Sequence, residues 1–316
     1  MCGVKPRTSM VYIIIVVKYS MERFKSSLNH IYSQLTQKWT LLGIVFVVAI
    51  LSWVAVFASA NSGRLEVHFL DVGQGDAIFI EMPDGRQILI DGGPNDKVVE
   101  KLNKYMPFWD RSIDIVIATH ADADHLAGLV PVLEHYDVDT ILWNGVFANT
   151  KIFKEWSDAA LKEGAEILVA EYGMRFNLSD YAFFEILHPY IIPEAGPGPA
   201  SGGQNDYSLV VRFVYGDDSF LFTGDIERQS EYKIISSGIN IKSDVLKVAH
   251  HGSKTSSSEL FLESVEPKVA VIQVGRNNSY GHPHAAVLQR LKKYGIDIRR
   301  VDLEGDITLT SNGNSF

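Results

Sequence analysis

The sequence predicts an α/β fold in which outer helices cover two inner sheets, preceded by one membrane-crossing helix. Three observations predict it. Residues 39–60 (WTLLGIVFVVAILSWVAVFASA) run 22 positions without a charge, and about 20 apolar residues suffice to cross a bilayer as a helix. From residue 64 onward, short apolar or alternating segments recur between Gly-rich and Pro-Asp-Gly turns, the pattern of strands. Helical segments alternate with them in two strand-rich halves, and each sheet needs helices to cover its apolar face.

The anchor comes first. Continuous apolarity on every face distinguishes residues 39–60 from an amphipathic core helix. Arg23, Lys25 and Lys38 precede the run, so the positive-inside bias places residues 1–38 in the cytoplasm and the rest of the chain outside. Ala58-Ser59-Ala60 resembles a signal-peptidase site, so secretion after cleavage following Ala60 is the alternative to a retained single-pass anchor. The run is longer than a typical signal core, which favours the anchor. Residues 10–17 are too few to span, and Met21 is an alternative start under which residues 1–20 would not belong to the protein.

Strands are expected at 65–70, 77–82 and 87–90, then a capped helix at 95–105 and the strongly apolar strand 113–119. Helix 126–135, strand 139–143, helix 151–162 and strands at 166–169, 175–178 and 182–187 follow. Residues 189–204 (PYIIPEAGPGPASGGQ) hold four prolines and four glycines, so they form a loop, either a lid or an inert insertion. Strands 208–215 and 219–222, helix 227–236, strand 244–249, helix 257–264, strand 269–274, helix 285–294 and two closing strands complete residues 64–316 as one domain.

With 46% hydrophobic and 21% charged residues, wholesale disorder is excluded. The net charge of −9 disfavours non-specific coating of nucleic acid, which needs many Lys and Arg contacts. It does not exclude a nuclease whose metals supply local positive charge. Cys2 is the single cysteine, so there is neither a disulfide framework nor a cysteine metal site.

His120-Ala-Asp122-Ala-Asp124-His125 carries the strongest chemical signal. Four metal-competent side chains lie within six residues where an apolar strand ends, and imidazole with carboxylate suits Zn, Mn or Fe. Thr223-Gly224-Asp225, His250-His251-Gly252-Ser253 and Gly281-His282-Pro283-His284 sit at further strand ends or helix starts. Six of the ten histidines therefore fall in three short segments, on the rim where sites of such sheets assemble. A solvated acidic turn with incidental histidines would explain one such segment but not four coincidences. His30, His68, His135 and His188 read as structural or surface residues.

These segments resemble the metallo-β-lactamase superfamily, and specifically the hydrolase domain of the ComEC competence family. FLDVGQGDA (69–77), IDGG (90–93), HADADH, NDYSLV (205–210), TGD (223–225), HHGS with KTSS (250–257) and YGHPH (280–284) carry the resemblance over roughly residues 64–314. A single anchor stands where that family has a multi-pass channel, which puts DNA transport itself in doubt. The resemblance implies an αββα sandwich with two divalent metals, Zn or Mn, between the sheet edges. It implies His120 on metal one, Asp124 and His125 on metal two, Asp225 bridging, and one histidine of HHGS completing metal two. His251 is favoured there, with His250 as neighbour or substitute. Asp122 stands where the superfamily has a second histidine, and Asn205 or Asp206 near a third. Loss of two imidazoles weakens metal one, so a single tightly bound metal is the alternative.

Asp71, Gln74 and Asp76 flank glycines 73 and 75 and either support the ligands or merely belong to a tight turn; Asp91 is a second supporting candidate, with Asn205. Ser253, Lys254, Thr255, Ser256, Arg276 and Asn277 offer hydroxyls and charge to a phosphate, although caps and solvated loops are the commoner fate of such residues. Asp124, His250, His282 and His284 are the catalytic candidates, the histidines as donors to a leaving oxygen or as supports of HHGS. The expected reaction is hydrolysis by a metal-bound hydroxide, with a phosphodiester, and DNA above all, as substrate. Two other functions compete: a hydrolase of a small ester, nucleotide or lactam, and a non-catalytic envelope protein that keeps the fold for binding.

Overall fold

A computed structural model describes residues 8–60, 63–190 and 204–314. The chain divides into two compact units between Ser62 and Gly63. In the first, Thr8–Ala60 is one helix of 53 residues, α1. It contains no proline and only Gly43 as a weak point, so nothing interrupts its hydrogen-bond ladder. Residues 10–17, too short to span alone, are absorbed into this helix. Within it, Tyr12–Val54 is long and apolar enough to cross a membrane by length and composition. Lys18, Glu22, Arg23, Lys25 and Lys38 fall in the first part of that stretch, so the charge-free part begins at Trp39.

The second unit holds two seven-stranded sheets. The first contains β1 (Leu65–Phe69), β2 (Ile78–Glu81), β3 (Gln87–Ile90), β4 (Ser112–Ala118), β5 (Asp137–Trp143), β6 (Glu166–Val169) and β14 (Ile307–Ser311), in the order β14-β1-β2-β3-β4-β5-β6. The second contains β7 (Arg175–Ser179), β8 (Ala182–His188), β9 (Val210–Tyr215), β10 (Asp218–Phe222), β11 (Val245–Lys247), β12 (Val269–Ile272) and β13 (Asp297–Arg300), in the order β13-β12-β11-β10-β9-β8-β7. Strands β3 to β6 run parallel, as do β10 to β13.

Side-chain alternation divides the apolar residues among three cores. Ile78, Ile80, Ile88 and Ile90 point between the sheets, where they meet Phe213, Phe220, Phe222, Val245 and Val271. Phe79 and Leu89 point the other way, onto α2 (Lys97–Tyr105), α4 (Leu129–His135) and α5 (Lys151–Glu163). Leu221, Leu246 and Ile272 likewise face α6 (Arg228–Ser236), α7 (Glu259–Val265) and α8 (Ala285–Lys293). Both faces of the central strands are thus buried, which is why they read as unbroken apolar runs. Each fully buried Phe or Leu contributes about 1.5–3 kcal/mol.

Two differences from the sequence expectation lie beside the site and shape it. The helix expected at 126–135 starts earlier, as α3 (Ala123–Leu126), and breaks before α4. Gly128 sits at the break against the Gly92 carbonyl, where a side chain would have no room. The strand expected at 244–249 stops at Lys247, and Ala249–Gly252 forms a 3₁₀ turn in which His250 and His251 both have φ 50°. The expected loop 189–204 lies almost entirely outside the described residues, and Gln204–Tyr207 is a 3₁₀ turn. The closing strands β13 and β14 are separated by α9 (Val301–Glu304).

Candidate metal centre

The carboxyl ends of the parallel strands carry the chemistry. Asp91 follows β3, His120 follows β4, Asp225 follows β10 and the two adjacent histidines follow β11. Leu209 N–H donates to the Thr119 carbonyl at 2.9 Å across the two sheets, and within the first sheet's rim Gly92 N–H donates to the His125 carbonyl at 2.7 Å and Asp76 N–H to the Asp124 carbonyl at 3.2 Å. A Cβ on Gly75 would fall inside contact distance of that Asp124 carbonyl. The glycine at the first turn therefore lets two motifs far apart in sequence touch.

Asp76, His125, Asp225 and His251 meet there, all buried, each offering one ligand atom within 4.8 Å of the others. The Nε2 atoms of His125 and His251 both lie 3.4 Å from Asp225 Oδ2. His251 Nε2 also lies 3.3 Å from Asp124 Oδ2. Left-handed backbone at His250 and His251 is costly for residues with a Cβ. The turn it creates is what delivers the His251 ring to the Asp225 carboxylate.

Each ligand candidate is held from behind. His125 Nδ1 lies 2.8 Å from Asp91 Oδ2, and His251 Nδ1 lies 2.9 Å from the Gln273 carbonyl. A proton on each Nδ1 satisfies both contacts and leaves Nε2 as the lone-pair atom, the arrangement found behind metal-binding imidazoles. Asp91 also accepts from Thr119 N–H at 2.8 Å and Thr119 Oγ1 at 2.7 Å, so its carboxylate is fully employed. Asp76 is backed by the ammonium of Lys247, a wholly buried lysine. Lys247 also donates to the Gly224 carbonyl at 3.0 Å and lies 3.6 Å from Asp225 Oδ1.

Among the buried atoms of the cluster that make no hydrogen bond are His125 Nε2 and His251 Nε2, which face Asp225 Oδ2, and Asp76 Oδ1, which lies 3.3 Å from His251 Nδ1. Unsatisfied buried polar atoms cost about 1–3 kcal/mol each, and the two Nε2 atoms facing one carboxylate oxygen fit a cation as their missing partner. Burial disfavours charge on His125 and His251, but Asp225 and Asp76 outweigh it and raise both imidazoles well above the usual histidine value. A divalent cation would displace those protons. Burial likewise opposes charge on Asp124, yet the imidazoles of His251 and His125 hold it well below the carboxylate range. For Asp76 the Lys247 ammonium outweighs burial and lowers the carboxyl.

The other candidates separate around this cluster. The His120 ring lies 4.1 Å from that of His125, tilted by 53°, with its buried Nε2 unpartnered and 3.6 Å from the half-exposed Asp122 carboxylate. His250 lies farther out, Nε2 being 3.9 Å from Asp225 Oδ2 and Nδ1 3.4 Å from Glu227 Oε1. His282 follows at 5.6 Å between rings from His250. Burial, helped by the neighbouring His250, lowers its pKa to about 4. His284 instead caps α8, its Nδ1 accepting from Ala286 N–H at 3.2 Å. Asp71 and Gln74 serve the fold: Asp71 accepts from Gly73 N–H at 3.3 Å, and Gln74 Oε1 accepts from Gly275 N–H at 3.2 Å. Asn205 stands in the 3₁₀ turn before β9, outside the cluster, with Oδ1 buried and unbonded. Its neighbour Ser208 accepts the Asp225 N–H at 3.2 Å.

Of the substrate-binding candidates, Thr255 bonds Glu227 at 3.2 Å and lines a cavity of about 350 Å³ with Arg228, Gln229 and Tyr232. Ser253 is buried against Thr255, Lys254 is exposed, and Arg276 donates Nε to the Asp302 carbonyl at 2.9 Å. His68 and His188 are buried in the structure away from the cluster, bonded to Thr308 and to the Ser208 carbonyl. The sequence reading missed Lys247, Gln273 and Glu227. Lys247 and Gln273 did leave a signal, one polar residue inside each of the apolar runs VLKVA and VAVIQV.

Comparison with known proteins agrees with this geometry. The chain is 34% identical over 263 residues to ComE operon protein 3 of Bacillus subtilis (strain 168), covering 78% of this chain and 33% of that protein. Recombination protein 2 of Haemophilus influenzae is 29% identical over 265 residues, covering 80% of this chain and 30% of that protein. Competence protein ComA of Neisseria gonorrhoeae is 32% identical over 240 residues, covering 74% and 30%. The chain thus spans about a third of the length of these curated relatives. Among solved structures, Igni18, a metallo hydrolase from the archaeon Ignicoccus hospitalis, superposes with a TM-score of 0.50 at 16% identity, over 77% of this chain and 98% of that one. A mutant of the CmlA beta-hydroxylase does so at 0.51 and 13% identity, over 78% and 54%. These two likenesses are of fold alone. The αββα layering, the four-residue cluster and these relatives support a metal-dependent hydrolase role, and the match of residues 70–276 to its family model places the chain in the metallo-β-lactamase superfamily.

Proposed function

We propose that this chain is a membrane-anchored phosphodiesterase that uses a divalent metal, Zn or Mn, to cleave DNA outside the cytoplasm. One observation carries the metal: the unpartnered buried Nε2 atoms of His125 and His251 both face Asp225 Oδ2, with Asp76 in the same cluster. The names of the relatives, a recombination protein and a competence protein, support DNA as substrate. The charge-free stretch of α1 after Lys38 supports a single-pass anchor with residues 1–38 inside.

When bound, the metal supplies a Lewis acid that activates water and balances charge developing on the phosphodiester. The protein's own residues do the rest. Asp91 and the Gln273 carbonyl fix the His125 and His251 tautomers so that both Nε2 atoms face the cation. Asp225 supplies Oδ2 between them. Asp124, about a third exposed and 3.3 Å from His251 Nε2, would complete the ligand set from the solvent side. His250, steered by Glu227, is placed beyond Asp225 to give a proton to the leaving oxygen. His282 is neutral at pH 7 and fits a proton acceptor beside His250 better than an acid. The cavity bounded by Thr255, Arg228 and Tyr232 lies on the same side and is large enough for a nucleotide.

The test uses the full chain in detergent with labelled single- and double-stranded DNA and with bis-p-nitrophenyl phosphate, under Mn, Zn or chelator. Turnover is expected to need metal and to be lost in Asp124→Ala. Turnover that survives both chelator and the substitution refutes the metal mechanism. Salt separates substrates: DNA cleavage should fall steeply between 50 and 200 mM (roughly the range over which phosphate contacts are lost) while the small ester is unaffected.

A further inference from the structure

The superfamily resemblance implies that Asp225 bridges two metals, and a carboxylate could do so by offering one oxygen to each. In this structure the two oxygens face different things. Oδ2 faces the Nε2 atoms of His125 and His251 at 3.4 Å, whereas Oδ1 has the ammonium of Lys247 at 3.6 Å. The same ammonium pairs with Asp76 Oδ2, leaving Asp76 Oδ1 3.3 Å from His251 Nδ1. A lysine is almost never fully buried unless paired, and this one is paired to both carboxylates of the cluster.

We propose that the Lys247 ammonium takes the place of a second cation, so that the centre holds one divalent metal among Asp76, His125, Asp225 and His251. This rests on the metal reading above. Position supports it: the ammonium already stands beside Asp225 Oδ1, the oxygen turned away from the two Nε2 atoms. A second divalent ion there would sit close to an ammonium in a low-dielectric pocket, where like charges repel strongly. His120 and the half-exposed Asp122 then lack a shared carboxylate oxygen with which to build a second tight position. The ammonium acts through Asp76 and Asp225, so Lys247 is a positioning residue.

Equilibrium dialysis of the full chain in detergent against Mn(II), with metal per chain and electron paramagnetic resonance, tests this. One tightly held Mn per chain with an uncoupled six-line spectrum is expected. Two Mn of comparable affinity with an exchange-coupled spectrum overturn the proposal on the wild-type chain alone. In Lys247→Gln, folded by circular dichroism, the second Mn should bind at least tenfold tighter than in wild type, and Lys247→Arg should stay at one. A folded Lys247→Gln chain with wild-type stoichiometry and affinities overturns the lysine's role, and so does a second tight Mn in Lys247→Arg. Failure of the wild-type chain to bind any Mn, with or without these variants, instead refutes the metal reading on which the proposal rests.

Discussion

Replacing Asp91 by Asn removes one charge and almost no volume, yet it should weaken metal binding strongly. The carboxylate accepts three hydrogen bonds in a dry pocket: from Thr119 N–H, Thr119 Oγ1 and His125 Nδ1, at 2.8, 2.7 and 2.8 Å. An asparagine presents an acceptor at one end only. With its oxygen toward His125, its amide meets the Thr119 N–H, donor against donor, which costs about 1–3 kcal/mol of stability. With its amide toward His125, the imidazole must move its proton to Nε2, the atom that faces Asp225. Either outcome removes support behind a metal-binding imidazole, a loss of roughly 10–100-fold in affinity, or about 1.4–2.8 kcal/mol. Equilibrium dialysis against Mn or Zn reads the affinity, and thermal melting in chelator reads the stability of the metal-free chain. Binding within threefold of wild type would refute the orienting role of Asp91.

Two further predictions concern the fold around the site. Gly75→Ala should lower stability by about 1–3 kcal/mol and weaken Mn binding, because its Cβ runs into the Asp124 carbonyl. Gly73→Ala, strained by its φ of +93° but with open space at its Cβ, should also lower stability yet leave Mn binding unchanged; an equal loss of Mn binding in titrations of the two variants would refute the argument from close approach. His188 is buried, donates Nδ1–H to the Ser208 carbonyl, and is lowered to about 4 by burial. Its unfolded form takes a proton at higher pH than its folded form, so stability is whole above about pH 6.5 and falls as pH drops toward 4. The loss between pH 7.5 and 5 is about 2 kcal/mol, and urea midpoints of His188→Gln should lose that much less over the same range.

Much of the outline was legible because burial writes itself into local pattern. The two-sided strands read as apolar runs, the candidate membrane helix as a charge-free stretch, and HADADH as a crowd of ligand types at a strand end. Local pattern failed where a distant contact set the conformation. Nothing local shows that strand 244–249 must stop at Lys247, since the left-handed turn at His250 and His251 is stabilised by its surroundings. Helix 126–135 breaks because Gly128 packs on Gly92, more than thirty residues away. Spacing could not choose between His250 and His251 either, because both are imidazoles on one turn. The structure places His251 in the cluster with Asp225 Oδ2 at 3.4 Å, and His250 at 3.9 Å with Glu227 behind it.

The sequence by itself determined the apolar N-terminal helix, the layered α/β class and the identity of most groups at the rim, because these follow from hydrophobic period and residue chemistry along the chain. Only the tertiary structure decided that Asp76 joins His125, Asp225 and His251, that His284 caps a helix, and that Lys247 stands behind two of the carboxylates. Those roles depend on which side-chain atoms face one another across two sheets. Period and composition specify which face a residue takes, but not the partner it meets there.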